Sequence, residues 1–242
     1  MAKILWRGDC SDGFLRGKGA GIILNLPNEL HRHLMVIERA GRVCYRSERK
    51  EITQDTGTAF IRRIIASGHE SVIEHSSLTV MFENVSRGFT HEMVRHRLCA
   101  FSQESTRYVD YAEGKMDHEK ANLIFVMPPH RDLEGSMICN MVEDMEEMYK
   151  YLREIDWKPE DARQFLPNGL CSKIVVTANF REWRHIFEMR CQKVAHWEIR
   201  YIMCDLLREL KVIIPVIFED FQLSTEPDKN GYRYATKVAN GF

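Results

Sequence analysis

The sequence has almost no net charge, because 34 lysine and arginine residues balance 35 aspartate and glutamate residues over 242 positions. This balance excludes a general electrostatic attraction for nucleic acid or for an anionic membrane, so any anion site must be built locally. No run of about 18 apolar residues, the length of a membrane-spanning helix, occurs in the sequence. Arg7 and Asp9 interrupt the start of the chain before the apolar segment of a secretory signal can develop. We therefore expect a cytoplasmic protein.

Paired cysteines of the CxxC type are absent. The seven cysteines are odd in number and scattered along the chain. This pattern excludes a zinc ribbon and a disulfide framework, and it favours a reduced, intracellular setting. Cys99 and Cys191 lie near the motifs described below, and we interpret both as packing residues.

The sequence also lacks an HExxH motif, in which two histidines lie one helical turn apart. His91 and His96 are five positions apart, which separates them by about 140° around a helix. His69 and His75 could converge on a metal only if their segment is irregular. We therefore expect no metal site.

Apart from these absences, the composition is ordinary, with 44% apolar and 29% charged residues. It predicts one soluble globular domain. The glycine-rich segment "GFLRGKGAG" at 13–21 contains GxGxG but not the GxGxxG of a dinucleotide-binding loop, so we interpret it as a flexible loop.

Apolar residues recur every three or four positions in several segments, which predicts helices. The predicted helices run from Pro27 to about residue 41 and over about 55–67, 87–97, 133–155, 180–190 and 196–212. Alternation in "SLTVMFEN" and the apolar run "CSKIVVTAN" predict strands near 77–84 and 171–179. Long helices with a few strands predict an α+β fold, with long helices around a small mixed sheet.

Three local signals refine these elements. Ser86 is expected to cap the helix "RGFTHEMVRHR", and Asn179 the helix "FREWRHIFEMR". Gly68 is expected to end the helix before it. A methionine stripe, formed by Met137, Met141, Met145 and Met148, is typical of a core or of a subunit interface.

Arginines cluster near polar loops and helix ends. They are Arg87, Arg95, Arg97, Arg107, Arg163, Arg181, Arg184 and Arg190. The planar guanidinium can grip a phosphate with two hydrogen bonds, and Ser102, Ser105 and Thr106 add hydroxyl donors. The mixture favours phosphate binding. For any single arginine, a solvated face or a surface ion pair stays an open alternative.

The compound pattern is more specific than its parts. "RHRLCAFSQESTRY" at 95–108 contains Arg-His-Arg, seven residues and then a serine, and it resembles the signature of the flavin-dependent thymidylate synthases. "ERAGRVCYRS", "GHESVIEH", "ARQFLP", "NFREWRHIFEMR" and "AHWEIR" resemble the family's other blocks, in the family's order. The resemblance covers residues 38 to about 200. It implies the family's fold and a catalytic domain over 27–218, between an N-terminal extension (1–26) and a C-terminal tail (219–242).

The resemblance implies the synthesis of dTMP from dUMP. Methylenetetrahydrofolate would give the carbon, and FADH2, itself reduced by NADPH, would give the hydride. The implied flavin contacts are Ser71, Arg95, His96, Arg97, Asn179, Arg181 and His185, with Glu74, Gln103 and Cys44 nearby. His69 would lie beside the flavin and the folate.

The implied dUMP contacts are Glu92, Arg95, Gln103, Glu104, Ser105, Thr106, Arg107, Arg163 and Arg190. Arg190 would be catalytic, because a cation beside the uracil ring favours its ionised form and makes C5 more nucleophilic. We assign Ser105 to the phosphate and not to nucleophilic attack, since no adjacent residue is an obvious base. The resemblance also implies a homotetramer with sites at subunit interfaces.

Two positions depart from many members, namely Ala100, where serine is common, and Ser102, where asparagine is common. Both lie within the seven variable positions, so they affect single contacts and not the assignment. Two alternatives stay open. One is a nucleic-acid-binding module, which would normally be basic overall. The other is a relative that has kept the fold and the flavin but has lost methylation.

Overall fold

The computed structural model of the chain describes residues 14–16, 19–47, 51–112, 123–130 and 136–238. The α-helices in these ranges are α1 (Pro27–Cys44), α2 (Gln54–Ala66), α3 (Arg87–Met93), α4 (Ser136–Glu154), α5 (Pro159–Ala162), α6 (Phe180–Arg190), α7 (Trp197–Ile213) and α8 (Pro215–Phe218). The strands are β1 (Phe14–Arg16), β2 (Ala20–Ile23), β3 (Ser77–Ser86), β4 (Ala100–Gln103), β5 (Phe125–Met127), β6 (Cys171–Asn179), β7 (Phe221–Leu223) and β8 (Ala235–Lys237). Short 3-10 helices cover Glu70–His75 and Arg163–Phe165.

The main sheet has four strands in the order β2-β3-β6-β4, and each neighbouring pair is antiparallel. Within the described ranges, parallel pairing occurs only between β1 and β5. The predicted α+β class is therefore confirmed.

The register of the sheet brings three functional segments to one end. Ser77 lies opposite Asn179, so the 3-10 helix before β3 and the start of α6 are neighbours. Ala100 lies opposite Thr177, which brings the Arg-His-Arg segment before β4 to the same end. Residues far apart in the sequence therefore meet because β6 pairs with a strand on each side.

β3 shows why this sheet has a buried and a partly exposed face. Leu78, Val80 and Phe82 are fully buried, whereas Thr79 and Met81 between them are partly exposed. This is the predicted alternation, since successive side chains of a strand point to opposite faces. Burying one large apolar side chain contributes about 1.5–3 kcal/mol, so a register slip by one residue would lose several such contributions.

Helices α1 and α2 have the predicted inward faces. Leu30, Leu34 and Ile37 of α1 are buried, and so are Phe60 and Ile61 of α2. Gly68 follows α2 with a φ of 73°, a left-handed conformation that favours glycine and stops the helix as predicted.

Both predicted helix caps are confirmed. The Ser86 hydroxyl accepts a hydrogen bond from the Phe89 backbone N–H at 3.0 Å. The Asn179 side chain accepts one from Glu182 N–H at 2.8 Å. The helix after Ser86 is shorter than predicted, however. It ends at Met93, so the Arg-His-Arg segment lies in turns, and the prediction of a helix over 87–97 is wrong beyond Met93.

The methionine stripe of α4 is mostly exposed. Met137, Met141 and Met148 are 81%, 50% and 47% exposed, so placing them in the core of the protomer is wrong. The buried face of α4 consists instead of Val142, Tyr149 and Leu152, with Met145 packed partly against them. The subunit-interface interpretation of the three exposed methionines stays a prediction.

The glycine-rich segment enters the main sheet, where β2 pairs with β3. Gly21 lies in β2, so the flexible-loop interpretation is wrong at that position. A Cβ atom there would lie 3.1 Å from the Phe82 ring, which explains why a small residue fits. Gly17 lies outside the described residues, and the domain boundaries at 26 and 218 stay predictions.

The C-terminal region forms the hairpin of β7 and β8 against the core. In the part of the chain that the structure describes, no helix combines the length and apolarity required to cross a membrane.

Candidate active site

The centre of the site is the guanidinium of Arg190, at the last position of α6. Its Nη1 donates to Glu92 Oε2 at 2.7 Å, and its Nη2 donates to the Glu92 backbone carbonyl at 3.0 Å. Its Nε donates to His96 Nε2 at 2.9 Å. α3 and the turn after it thus fix the orientation of an arginine carried by α6.

His96 accepts this bond because its ring is neutral. Burial, together with the charges of Arg190, His185 and Arg95, lowers the pKa of His96 from about 6.5 to about 4. With Nε2 as the acceptor, the ring proton must lie on Nδ1, which is 3.5 Å from a carboxylate oxygen of Glu182. Burial in turn raises the pKa of Glu182.

The turns of the Arg-His-Arg segment separate its side chains. Met93 and His96 accept backbone hydrogen bonds from His96 and Cys99, which closes two successive turns. His96 points inward and is buried, whereas Arg95 and Arg97 are exposed. Neither arginine is ion-paired with a carboxylate among the described residues. Within the part of the chain that the structure describes, these two cations therefore have no counter-ion and are available to a ligand.

A second group lies where the chain leaves β4. Arg163 donates to the Thr106 hydroxyl at 3.3 Å, and Arg107 forms an ion pair with Glu160 at 2.9 Å. The Ser105 hydroxyl accepts from the Arg107 backbone N–H at 3.3 Å, which tightens the turn. Two arginines and two hydroxyl side chains thus lie close together, which is the combination of groups that a phosphate site requires.

Two predicted residues beside this group have internal partners. Gln103 donates to the Thr90 hydroxyl at 2.8 Å, which ties β4 to α3. Glu104 accepts from the Tyr111 hydroxyl at 2.9 Å. The bond of Gln103 connects the residues of this second group to the helix that carries Glu92, and the bond of Glu104 connects them to Tyr111.

A third group surrounds the start of α6. Arg181 forms an ion pair with Glu74 of the 3-10 helix, which also carries the exposed Ser71. His185 lies one turn further along α6. The centre of its ring lies 5.8 Å from the centre of the His96 ring, in an edge-on arrangement.

Three predicted residues lie near this third group. His69 is exposed, and its Nδ1 is 3.5 Å from the Tyr45 hydroxyl. Asn179 uses its side chain for the helix cap. Cys44, at the end of α1, is exposed.

Arg184, the second of the three arginines of α6, is not available to a ligand. It is 1% exposed and forms ion pairs with Asp220 at 2.7 Å and with Glu70 at 3.0 Å. The anion-binding hypothesis is therefore wrong for Arg184, which belongs to the core.

The cysteines near the site are not activated. Burial, together with Glu182, raises the pKa of Cys99 to about 12. Burial also raises the pKa of the Cys191 thiol, and its contact with Cys204 adds to that rise. A nucleophilic cysteine needs a depressed pKa, so the geometry favours packing roles for both. In the described ranges, no group of three or more histidine, cysteine, aspartate or glutamate side chains could hold a metal ion.

Three residues that contact the predicted site residues were not predicted from the sequence, namely Glu160, Glu182 and Tyr45. Glu182 follows its cap residue by three positions, a spacing that indicates only a helix start. Its contact with His96 depends on the sheet register, which leaves no local signal.

Comparisons with known proteins show the family of the chain. The family described as "Thymidylate synthase complementing protein" matches residues 26–216. The chain is 36% identical over 186 residues to the flavin-dependent thymidylate synthase of Geobacter sulfurreducens, covering 75% of this chain and 78% of that protein. It is 33% identical over 203 residues to the enzyme of the same name from Mycobacterium tuberculosis, covering 80% and 81%.

A solved structure supports the fold. The crystal structure of thymidylate synthase X from Helicobacter pylori with FAD and dUMP matches with a TM-score of 0.64 and 22% identity, covering 84% of this chain and 98% of that chain. The predicted fold is thereby confirmed. On the sequence matches, the chain belongs to the flavin-dependent thymidylate synthase family.

Proposed function

We propose that this protein is a flavin-dependent thymidylate synthase that makes dTMP from dUMP. The observation that carries the proposal is Arg190, which Glu92 and His96 hold in place in a chain of this family. Beside it lie two arginines that have no ion-pair partner among the described residues. FAD would supply the hydride, after reduction by NADPH, and methylenetetrahydrofolate would supply the carbon.

The residues present fit FAD. Its pyrophosphate carries negative charge, and a chain without net positive charge must meet it with local cations. Arg95 and Arg97 are exposed and lack a carboxylate partner in the described ranges, so an anion could bind without breaking an ion pair. We assign to the flavin these arginines with Ser71, Glu74, His69, Gln103, Asn179, Arg181, His185 and His96.

For the phosphate of dUMP we propose Ser105, Thr106, Arg107 and Arg163. Arg163 is already oriented by Thr106 and by the Glu160 backbone carbonyl at 3.1 Å. Arg107 would exchange its exposed ion pair with Glu160 for a phosphate, and such exposed pairs are worth only about 0–1 kcal/mol. Little stability is therefore lost when the substrate binds.

Arg190 would act on the uracil ring with its fixed positive charge. Three of its nitrogens already donate to protein acceptors, so the plane of the guanidinium is set before the substrate arrives. A preoriented cation stabilises the negative charge that develops on the ring without reorganisation. Glu92, Gln103 and Glu104 complete the residues that we assign to dUMP.

We further propose a homotetramer with sites at subunit interfaces, in the cytoplasm. The exposed methionines of α4 support an interface, because Met137, Met141 and Met148 form an apolar strip on the protomer surface. Light scattering gives the mass of the protein in solution. A purely monomeric mass would contradict the proposed assembly.

The function can be tested by anaerobic NADPH oxidation with FAD-loaded protein, with and without dUMP and methylenetetrahydrofolate, while dTMP is quantified. We expect dTMP only when both substrates are present. Oxidation of NADPH with bleaching of the flavin but without dTMP would exclude the synthase and favour a relative that has lost methylation. A colourless protein that does not bind FAD would show that the protein is not a flavoprotein.

A further inference from the structure

A cavity of about 510 Å³ lies outside the proposed active site, where the loop after α6 meets the first turn of α7 and the turn before β8. Its wall includes His130, Lys193, Trp197, Arg200, Asp228 and Lys229. None of these residues is among those assigned to the flavin or to dUMP. The volume lies within the usual range of small-molecule sites. The sites assigned to the flavin and to dUMP therefore leave the cavity without a role.

Among the described residues, Asp228 carries the only carboxylate on this wall, and this carboxylate is already occupied. One oxygen accepts from the backbone N–H groups of Asn230 and Tyr232 at 2.9 and 3.1 Å. The other accepts from Arg200 Nη2 at 2.6 Å. Asp228 and Arg200 therefore cancel each other in charge and hold each other in place.

Two lysines remain without a counter-ion. Lys193 and Lys229 are exposed, and neither has a carboxylate within ion-pair distance in the described ranges. The Lys193 ammonium lies 5.7 Å from the centre of the Tyr234 ring, so an aromatic face positions it instead of an acid. The wall thus carries an excess of two positive charges in a chain that is nearly neutral overall.

Arg200 also has a hydrogen-bond donor that no described residue satisfies, and it lies in the buried part of the wall. It is 2% exposed, and its Nη1 donates to the Lys193 backbone carbonyl, which links the two cations. Its buried Nε–H has no acceptor among the described residues. Buried donors of this kind are normally satisfied by protein, water or a ligand.

The start of α7 adds a further positive potential. Trp197 is the first residue of this 17-residue helix, and the cap residue His196 makes no side-chain capping bond. The amino end of a helix carries a partial positive charge and favours anions, above all phosphate. His130 is hydrogen-bonded to Tyr232 at 3.0 Å, and its ring lies edge-on to that of Trp197. These two rings give the cavity an aromatic lining beside its cations.

We infer that this cavity binds the phosphate group of a small phosphorylated metabolite, at a site separate from that of dUMP. Lys193 and Lys229 contact the phosphate, Arg200 supplies fixed positive charge behind them, and Trp197 and His130 face the organic part. Lysine binds phosphate as a point charge, so it suits a site that accepts more than one phosphorylated compound.

The test is a calorimetric titration of the FAD-loaded protein with inorganic phosphate and, separately, with AMP, in the presence of saturating dUMP. Saturation with dUMP keeps the Arg163 region occupied. We expect one additional site per protomer, weakened roughly tenfold or more in the double variant Lys193→Ala/Lys229→Ala, because two charge-assisted contacts are removed. Lys173→Ala is the control, since this exposed lysine is paired with Glu83 elsewhere.

The two probes distinguish the sources of the phosphate. Tighter binding of AMP indicates an organic phosphate, equal binding indicates the inorganic ion, and both results support the site. No additional binding of either probe, or equal binding by the wild type and the double variant, overturns it. Because the lysine variants leave every proposed synthase residue intact, loss of this site is separable from loss of dTMP formation.

Discussion

Two arginine clusters on α6 differ in their burial and in their number of carboxylates. These differences decide whether the arginine stabilises the fold or interacts with a ligand. The Arg184 cluster, formed with Asp220 and Glu70, has side chains that are 1%, 5% and 16% exposed. The Arg190 cluster, formed with Glu92 and His96, is more open, at 17% for Arg190 and 30% for Glu92. The first is closed by two carboxylates, whereas the second has one carboxylate and a neutral ring. The first therefore stabilises the fold, and the second can still interact with a substrate.

The largest expected effect is in the closed cluster. Arg184→Met leaves Asp220 and Glu70 without their main cation, and breaking a buried ion pair costs about 3–5 kcal/mol. We expect a loss of this size in the free energy of unfolding, measured by urea denaturation. Arg208→Ala is the control, because its exposed pair with Asp205 should contribute less than about 1 kcal/mol. Equal losses in both variants would remove the distinction between the clusters.

In the open cluster the loss should be in turnover and not in stability. Arg190→Ala removes a preoriented charge, which typically costs about 100- to 1000-fold in kcat. We expect dTMP formation to fall by that factor while FAD stays bound, as followed by flavin absorbance. Arg62→Ala, which changes an exposed arginine paired with Glu219, should leave turnover unchanged. Turnover close to that of the wild type in Arg190→Ala would contradict the catalytic role.

The neutral ring of His96 predicts a pH dependence of stability. The pKa of His96 is depressed in the folded state, so the unfolded state binds the proton first as the pH falls. Stability is complete above about pH 6.5 and decreases down to about pH 4, by at most about 3 kcal/mol. His96→Gln should lose correspondingly less over this window, as measured by urea denaturation at several pH values. Identical slopes for the two proteins would show that folding does not depress the pKa of His96.

The smallest stability effect is expected for Arg181, the most exposed of the three α6 arginines that we compare. Its side chain is 52% exposed, and its ion pair with Glu74 lies at the surface. Arg181→Ala should change the free energy of unfolding by less than about 1 kcal/mol. It should nevertheless weaken FAD binding by roughly tenfold, the value of one charge-assisted hydrogen bond, in a fluorescence titration. Unchanged FAD affinity would show that Arg181 is a solvated surface residue that does not contact the flavin.

Much of the fold could be predicted because it depends on local patterns. The alternation of Leu78, Val80 and Phe82 fixed the faces of β3, and Asn179 marked the start of α6. The errors occurred where distant contacts decide. α3 stops at Met93 because the next residues turn to bring His96 under Arg190. On α4, Val142 and Tyr149 face the core, whereas three of the four methionines of the stripe are exposed.

The sequence alone determined the family, the candidate residues and most helix and strand positions, since motifs and periodicity are local properties of the chain. Only the tertiary structure decided which arginines are free. Asp220 lies 36 positions from Arg184, and Glu92 lies 98 positions from Arg190. Whether a guanidinium meets one carboxylate or two depends on how α6 packs against segments far away in the sequence, which no single segment encodes. The charge available to a ligand is therefore a property of the folded protein.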